Sequence, residues 1–459
     1  MAGTLNTPGY SLTPSSVKAA LPTNYIASFD FLSQYLPDTF EKEFERYGNR
    51  SIASFLRNVS AELPSASDLI KWNEQGRLHT KYTGLTHGTY TAGTEIFTLP
   101  SGTCNFRVNQ VVILSGSLGA SAKAIITAVT TSTFTVAYYT NVSASPFAVA
   151  ETITAYVYGS EFQKGTSGMS GSLEAEPQIF EVKPITIKDK YSVSGSDMAQ
   201  IGWIEVTTEN GGSGYLWYLK SEHETRLRFE NYLEMMMVEH IKAENSSAAK
   251  TYLGGGAAGS EGLFAAIESR GNVWSGGNPS SLADFDTVVA RLDKQGAISE
   301  NALFVNRNFS FAIDDMLAAQ NSYGAGGTSY GLFDNDKDMA VNLGFSGFRR
   351  GYDFYKSDWK YLNDAALRGG DLVGGAVNGV LIPAGTTTVY DEVLGKNAKR
   401  PFLHVRYRAN EAENRKLKTW MTGSAGGAAT SDLDAMEVHF LSERALCTLG
   451  ANNFFLFKA

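Results

Sequence analysis

The residues whose types and spacing most nearly suggest chemistry form an acidic cluster. Asp334, Asp336 and Asp338 alternate as the first ligands of a calcium-binding EF-hand loop do. That loop needs glycine at its sixth position and glutamate at its twelfth, where this sequence has Met339 and Phe345. A solvated surface loop explains the cluster better, because acidic groups usually stay exposed. We therefore predict no metal site, and these three aspartates are the only candidates.

Two pairs of neighbouring carboxylates could serve a hydrolase. They are Asp314 with Asp315 and Asp391 with Glu392. Adjacent residues on a helix do not face each other, so neither pair has the geometry of a general acid and base. We predict no catalytic residue, and an enzyme is the weakest of the functional readings.

Known motifs for cofactors and metals are also incomplete. Gly395 and Lys396 are followed by asparagine, where a phosphate-binding loop has serine or threonine. The glycine-rich run 165–171 does not form the nucleophile elbow of a hydrolase. The six histidines show no metal-ligand spacing, so His223 and His240 are predicted to be surface or packing residues. The sequence predicts no cofactor.

The most basic stretch is Lys396–Lys418, in which eight lysines and arginines are interleaved with aromatic residues. Such a pattern can bind nucleic acid. However, Arg406 and Arg408 fall on the polar phase of an alternating strand. A solvated or inter-subunit face is therefore the favoured interpretation over direct phosphate contact.

Composition sets the broad class. The 459 residues are 43% hydrophobic and 19% charged, as in globular proteins of several domains. The net charge of −8 argues against a surface that binds nucleic acid throughout. Two distant cysteines, Cys104 and Cys447, exclude a disulfide framework. We find no signal peptide and no apolar run of the roughly 18 residues that a membrane span requires.

The longest helical pattern is Leu216–Glu244, a run without glycine or proline. At about 1.5 Å per residue it predicts a rod of roughly 40 Å, which we call the spine helix. Its apolar stripe is predicted to consist of Leu216, Leu219, His223, Leu227, Leu233, Met237 and Ile241. The helix carries no catalytic group, so its predicted role is structural.

Before the spine helix, the sequence predicts an arm and a long β finger. Residues 1–63 are the arm, in which Pro37–Tyr47 forms a short helix with Phe40, Phe44 and Tyr47 on one face. Strands at about 66–82 and 178–195 form the finger. Residues 86–160, poor in charge and rich in threonine and valine, form an inserted closed β module of four to six strands. An arm and a finger of this kind need a partner surface.

After the spine helix, residues 254–395 are predicted to form a compact α+β domain. Ser281–Gln295 is a helix with Ser281 as its N-cap and Gly296 beyond its end, and Asn308 is predicted to cap Phe309–Ala319. Residues 396–459 return as strands that pack with the spine helix. The fold class is therefore α+β.

This order of elements resembles the Hong Kong 97-type (HK97-like) major capsid protein of tailed bacteriophages. The matching parts are the N-terminal arm 1–63, the extended β-loop 64–200 interrupted by the module 86–160, and the peripheral domain 201–253 with the spine helix 216–244. An axial domain at 254–395 and closing peripheral strands at 396–459 complete the match. The resemblance covers nearly the whole chain and depends on architecture, because the family has no short diagnostic motif.

The resemblance implies a shell protein that self-assembles into hexamers and pentamers of an icosahedral head around double-stranded DNA. It implies separate scaffold, portal and decoration proteins, non-specific DNA contact on the inner face, no membrane, and assembly in the cytoplasm of a bacterial host. Two alternatives remain open. One is an encapsulin-like compartment of the same fold, and the other is a secreted adhesin or carbohydrate-binding protein built on the module 86–160.

Overall fold

The computed structural model describes residues 55–458, except 78, 142, 173–176, 200–204, 208–212, 216, 255–258, 322–345, 370–375, 385, 389–398, 426 and 428. The helices are α1 (Phe55–Val59), α2 (Gly195–Ala199), α3 (Trp217–Glu239), α4 (Ala248–Tyr252), α5 (Leu263–Arg270), α6 (Leu282–Gln295), α7 (Arg307–Asn321) and α8 (Lys360–Asn363). The first strands are β1 (Ala61–Ser65), β2 (Ile70–Gln75), β3 (Lys81–Thr91), β4 (Thr94–Thr98), β5 (Gln110–Gly116), β6 (Ser121–Val129), β7 (Thr133–Tyr138), β8 (Ile153–Ser160), β9 (Pro177–Val182), β10 (Ile185–Ser194), β11 (Glu205–Thr207) and β12 (Ser213–Tyr215). The later strands are β13 (Asn272–Trp274), β14 (Glu300–Val305), β15 (Gly347–Arg350), β16 (Tyr352–Asp358), β17 (Val377–Pro383), β18 (Thr386–Thr388), β19 (Lys399–Pro401), β20 (Leu403–Arg408), β21 (Lys418–Gly423), β22 (Ala435–Thr448) and β23 (Phe455–Lys458).

The chain divides into two compact units. One consists of residues 72–180, and the other of the residues on either side of them. Most of the predicted arm, the acidic loop with Asp334, Asp336 and Asp338, and the pair Asp391–Glu392 lie outside the described residues. The predictions made for those segments therefore stay predictions.

A closed barrel of six antiparallel strands, in the order β3-β4-β7-β6-β5-β8, fills most of the unit 72–180. Alternate residues point inward, and Phe97 and Phe134 are fully buried with ring centroids 5.4 Å apart. The barrel begins at Lys81, five residues before the predicted start at 86. The sequence pattern hid this start because β3 is irregular, with a positive φ at Gly84 and register shifts on both sides.

The first sheet of the second unit has the order β1-β20-β22-β10, and β21 also pairs with β22. The pair β1–β20 is parallel, whereas β20, β21 and β10 all run antiparallel to β22. The sheet thus collects strands from residues 61–65, 185–194 and 403–448. These strands are far apart in sequence and complete one surface only when the chain has folded.

The predicted finger is shorter than expected. Its second strand, predicted at 178–195, is divided at Lys183–Pro184 into β9 and β10. Proline cannot donate a ladder hydrogen bond, and beyond it β10 pairs with β22 from Ile185 to Ser194. The two-stranded part of the predicted finger is therefore only β2 with β9.

The spine helix is α3, and it ends at Glu239 rather than at 244. Beyond Glu239 the backbone contacts the segment at Gly262 and does not continue as a helix. The Gly262 N–H donates to the His240 carbonyl at 2.7 Å. A Cβ on Gly259 would lie only 2.2 Å from the Ile241 carbonyl oxygen, so this approach requires glycine.

The buried face of α3 also differs from the predicted stripe. From residue 221 onward, where the side chains are described, its buried apolar residues are Phe229, Leu233, Met237 and Val238. Phe229 packs against Phe440 of β22 at 5.8 Å. Of the predicted stripe, Leu233 and Met237 are confirmed as buried, whereas His223 and Ile241 are exposed and Leu227 is half-buried. Polar Thr225 and Glu234 also lie on the buried face, so the spacing of apolar residues alone does not define that face.

The second sheet has the order β13-β23-β17-β14-β16-β15 and is covered on both faces. Phe455 and Phe457 of β23 pack into the core formed with α6 and α7, while Leu456 between them packs into the core that includes α3. Burial on both faces explains why the last strand is continuously apolar. The strand β23 pairs with β13 and β17, and not with the other strands of residues 396–459.

The helices of this region follow local signals. Ser281 accepts from the Asp284 N–H and Asp284 bonds back to Ser281, which confirms the predicted capping box, and Gly296 adopts the left-handed conformation. For α7 the predicted cap was wrong by two residues. The Asn306 side chain, and not Asn308, accepts from the Phe309 N–H at 2.7 Å.

Candidate assembly surfaces

Contacts with the rest of the chain hold Phe55 in place, directly after the segment 1–54. The N–H of Phe55, the first described residue, donates to Glu234 Oε1 at 3.1 Å, and both residues are buried. The Phe55 ring stacks on Trp359 with centroids 4.1 Å apart and meets the edge of Phe304 at 4.8 Å. Glu234, a polar residue on the buried face of α3, therefore anchors the predicted arm at Phe55.

Strand β1 continues this attachment along the edge of the first sheet. Ala61 to Ser65 pair with His404 to Arg408, and Arg406 donates to the Pro64 carbonyl at 3.2 Å. Nothing in the local sequence indicates this pairing, because its partners are more than 340 residues apart.

The predicted basic stretch lies largely beside this edge and is neutralised within the chain. The described basic side chains that form ion pairs there are Arg408 with Asp68 and Glu443, Arg415 with Glu443, Lys416 and Arg444 with Glu62, and Lys418 with Glu413. The Arg415–Glu443 and Lys418–Glu413 pairs are 3.0 and 2.6 Å long. Lys396 and the side chains of Lys399 and Arg400 lie outside the description. This arrangement joins β1 to β20 and β22, and carboxylates match the cations of Arg408, Arg415, Lys416 and Lys418, whereas Arg406 bonds to a carbonyl.

The predicted carboxylate pair on α7 has no arrangement suited to acid–base catalysis. Asp314 is held by Lys356, whose Nζ lies 2.5 Å from Oδ1, with both side chains largely buried. Asp315 is exposed on another side of the helix. The two neighbours therefore face different surroundings, as the helical geometry predicted.

A buried polar cluster in the barrel was missed by the sequence reading. Glu95 is inaccessible to solvent and accepts from the Tyr138 hydroxyl and from Ser145 Oγ at 2.9 Å, while His87 Nδ1 lies 2.8 Å from its Oε1. Burial and the Glu95 carboxylate together raise the pKa of Tyr138. The only sign of this cluster in the sequence is Glu95, a charged residue within a strand pattern of alternating β-branched residues.

This cluster is not a hydrolytic triad. His87 Nε2 faces the carbonyl oxygen of Ala148 at 2.8 Å, and the Ser145 hydroxyl bonds to the carboxylate instead of the imidazole. A second buried carboxylate, Glu151, accepts from the Ala148 N–H at 3.0 Å and from the Leu118 N–H at 2.6 Å. Both carboxylates therefore hold the segment between β7 and β8 in place.

The two histidines of the spine region lie where packing or surface residues would. His223 is exposed, and His240 is half-buried, which lowers its pKa. Among the residues described here, no three histidine, cysteine or carboxylate side chains gather as metal ligands would. Within the same part of the chain, no helix has the length and apolar character needed to cross a membrane.

Exposed apolar side chains follow the end of α3. The short helix α4 has no buried residue, and Tyr252 and Leu253 at its end are 90% and 59% exposed. Ile241 is 64% exposed.

A cavity of about 530 Å³ is lined by residues 181–183, 242–245, 250 and 259–261. The lining holds three lysines and three glutamates, and it includes Ser260, which is buried and whose hydroxyl has no described partner. Lys242 Nζ lies 3.4 Å from Glu181 Oε1, and Lys250 Nζ donates to Asn245 at 2.7 Å.

Comparisons with known proteins were made at the level of sequence and of structure. No protein-family model and no curated protein matches the chain. Solved structures similar to it include the capsid of a native GTA particle, with 10% identity, coverage of 96% of this chain and 99% of that one, and a TM-score of 0.38. The chain is also similar to structures from Gordonia phage Cozz, with 9% identity, 96% of both chains and a TM-score of 0.39, and from Microbacterium phage Oxtober96, with 10% identity, 93% and 96% of the chains and a TM-score of 0.38. These similarities are to phage and capsid structures.

Proposed function

We propose that this chain is the major shell subunit of a Hong Kong 97-type phage head, which assembles into hexamers and pentamers around double-stranded DNA. One observation carries the proposal. A single sheet, packed against the long helix α3, collects the strand that follows the arm, the strand that follows the finger, and strands from near the end of the chain. Such a sheet brings together the ends of segments that would extend away from the subunit at several points.

The domain scheme of the proposal assigns 1–63 to the arm, 64–200 to the extended loop with the module 86–160, and 201–253 to the peripheral domain. Residues 254–395 are the axial domain, to which β23 adds a strand, and the rest of 396–459 closes the peripheral domain. An arm and a finger of the predicted kind need a partner surface, so burial on neighbouring subunits would stabilise them. Many modest contacts repeated around a closed shell would supply the cooperativity.

The partners that follow are further copies of this chain, a separate scaffold, a portal and decoration proteins. The net charge of −8 suits an outer surface, and packaged DNA would meet local basic residues on the inner face. The site of assembly would be the bacterial cytoplasm and the final location the virion.

Electron microscopy and sedimentation of the purified full chain, alone and with its scaffold, test the proposal. We expect rings, sheets or closed shells of hexamers and pentamers. A protein that stays monomeric under all these conditions contradicts a shell function. Shells that enclose a cargo enzyme and no DNA would identify a compartment of the same fold instead of a phage head.

A further inference from the structure

Three tyrosines lie on the outer surface of the barrel with much of their side chains in solvent. Tyr156 and Tyr158 of β8 are 41% and 50% exposed, whereas Val157 between them is half-buried and packs against the barrel core. Successive residues of a strand point to opposite faces, so both rings point outward. Their hydroxyls form no hydrogen bond with a described residue. Tyr139, just after β7, is also 50% exposed.

Tyr139 belongs to the same surface as Tyr158. Its hydroxyl donates to Glu161 Oε2 at 2.5 Å, and Glu161 directly follows β8. Burial, this hydrogen bond and the nearby Tyr158 raise the pKa of Tyr139 to about 12, so its hydroxyl stays a donor and the two tyrosines are close neighbours. The Glu161 N–H donates to the Asn109 carbonyl at 3.0 Å, which fixes the backbone below the carboxylate. The tyrosines thus lie beside a held hydrogen-bond acceptor.

Two lysines lie at the ends of a row that crosses four strands of this surface. Lys81 of β3 pairs in register with Tyr156, and Tyr156 pairs with Ile113 of β5. Ile113 in turn pairs with Lys123 of β6, whose carbonyl accepts from the Tyr139 N–H at 3.2 Å. Paired residues on neighbouring strands share a face, and strand spacing makes the row about 14 Å long. Both lysines are exposed, and neither forms an ion pair within the described part of the chain.

These groups complement a chain of acidic sugars. A sugar ring has C–H groups on its faces and hydroxyls around its edge, and tyrosine offers it both apolar area and a polar tip at a small cost in conformational entropy. Glu161 can accept from sugar hydroxyls, which a DNA strand lacks within its backbone. The unpaired ammonium groups of Lys81 and Lys123 complement carboxylates on the sugars.

We propose that this surface of the barrel binds an acidic polysaccharide whose sugars carry carboxylates. We call it the tyrosine face, and it consists of Lys81, Lys123, Tyr139, Tyr156, Tyr158 and Glu161. Sugar rings lie against Tyr156 and Tyr158, and their carboxylates meet the two lysines. The inference adds a binding activity to the barrel and does not depend on the proposed shell function.

Calorimetric titration of the full chain with a β-1,4-linked mannuronate hexamer tests the proposal. The matched neutral probe is β-1,4-mannohexaose, which has the same rings and linkage without the carboxylates. We expect the mannuronate hexamer to bind, its affinity to fall as salt is added, and mannohexaose to bind several-fold more weakly. Equal binding of the two sugars, no binding of mannuronate, or tighter binding of a hexathymidylate would overturn the proposal.

Substitutions then locate the site. Tyr156→Ala and Tyr158→Ala should each weaken binding of the mannuronate hexamer about tenfold, whereas Tyr252→Ala, at a 90% exposed tyrosine outside the barrel, should leave it unchanged. Lys81→Gln with Lys123→Gln should remove the preference for mannuronate over mannohexaose. The thermal transition of the barrel shows that each variant is folded, and folded variants that bind as the parent does would contradict this site.

The shell function is scored separately, by electron microscopy of the same preparations. Normal shells that do not bind the mannuronate hexamer would contradict the tyrosine face and leave the shell function standing. A protein that binds mannuronate and never assembles would do the reverse.

Discussion

The unit 72–180, which contains the barrel, and the unit that contains the first and second sheets, called here the two-sheet unit, achieve stability in opposite ways. The barrel closes on itself, so it has no free edge, and all its core residues come from one continuous stretch of chain. The core around α3 draws on residues from Phe55 to Leu456. The core of the barrel is therefore local in sequence, whereas the two-sheet unit depends on contacts between distant segments.

The substitution with the largest expected effect is Leu233→Asp on the buried face of α3. A carboxylate there would lie among Phe229, Met237 and the first sheet without a partner, which costs several kcal/mol of a total that is usually 5–15 kcal/mol. We expect the two-sheet unit to unfold and assembly to stop, while the barrel still shows its own thermal transition by calorimetry. His223→Asp, on the exposed side of the same helix, is the control and should change little. Normal particles from the Leu233 variant would show that the buried face is misassigned.

A second experiment destabilises the barrel instead of the two-sheet unit, by substitution of Glu95. In Glu95→Ala, the donors at His87, Tyr138 and Ser145 lose their common acceptor, which should cost about 3–5 kcal/mol. Glu95→Gln keeps one carbonyl oxygen and should lose less. Chemical denaturation should show an earlier barrel transition with the two-sheet unit unchanged. If both transitions move together, the two units are not energetically separate.

The smallest expected effect concerns the capping box of α6. Ser281→Ala should lower the free energy of unfolding of the two-sheet unit by about 1 kcal/mol, whereas Ser281→Asp, which keeps a capping oxygen, should stay close to the parent protein.

This cap also predicts a dependence on pH. The Ser281 hydroxyl, with the N–H groups of Ser280 and Ser281, lowers the pKa of Asp284 below its ordinary 3.8. The stabilisation is therefore present above pH 4 and is lost as the pH falls through the lowered pKa. Denaturant titrations at pH 7 and near pH 3 measure it. The difference between parent and Ser281→Ala should shrink at the lower pH, and an unchanged difference would contradict this role for Asp284.

Local signals explain what could be predicted from the sequence. The N-cap at Ser281 and the strands of the barrel follow from short-range rules, and the six strands of the barrel agree with the four to six predicted. The irregular β3 escaped prediction because its bulges break the alternation.

Long-range contacts explain what could not be predicted. The end of α3 is set by the backbone of Gly259 and Gly262 and not by a residue within the helix. The pairing of β1 with β20 depends on partners far along the chain. The buried Glu95 and Glu234 looked like surface residues in the sequence, because a charge enters a core only when its donors are present there.

The position of β23 in the second sheet has a consequence for biosynthesis. This strand lies between β13 and β17, yet it follows every other described strand along the chain. While the ribosome is still making β22, the sheet has a gap beside β17 that exposes apolar side chains such as Leu381. The sheet can therefore close only after translation has passed Lys458, and a nascent chain cannot complete this core before then.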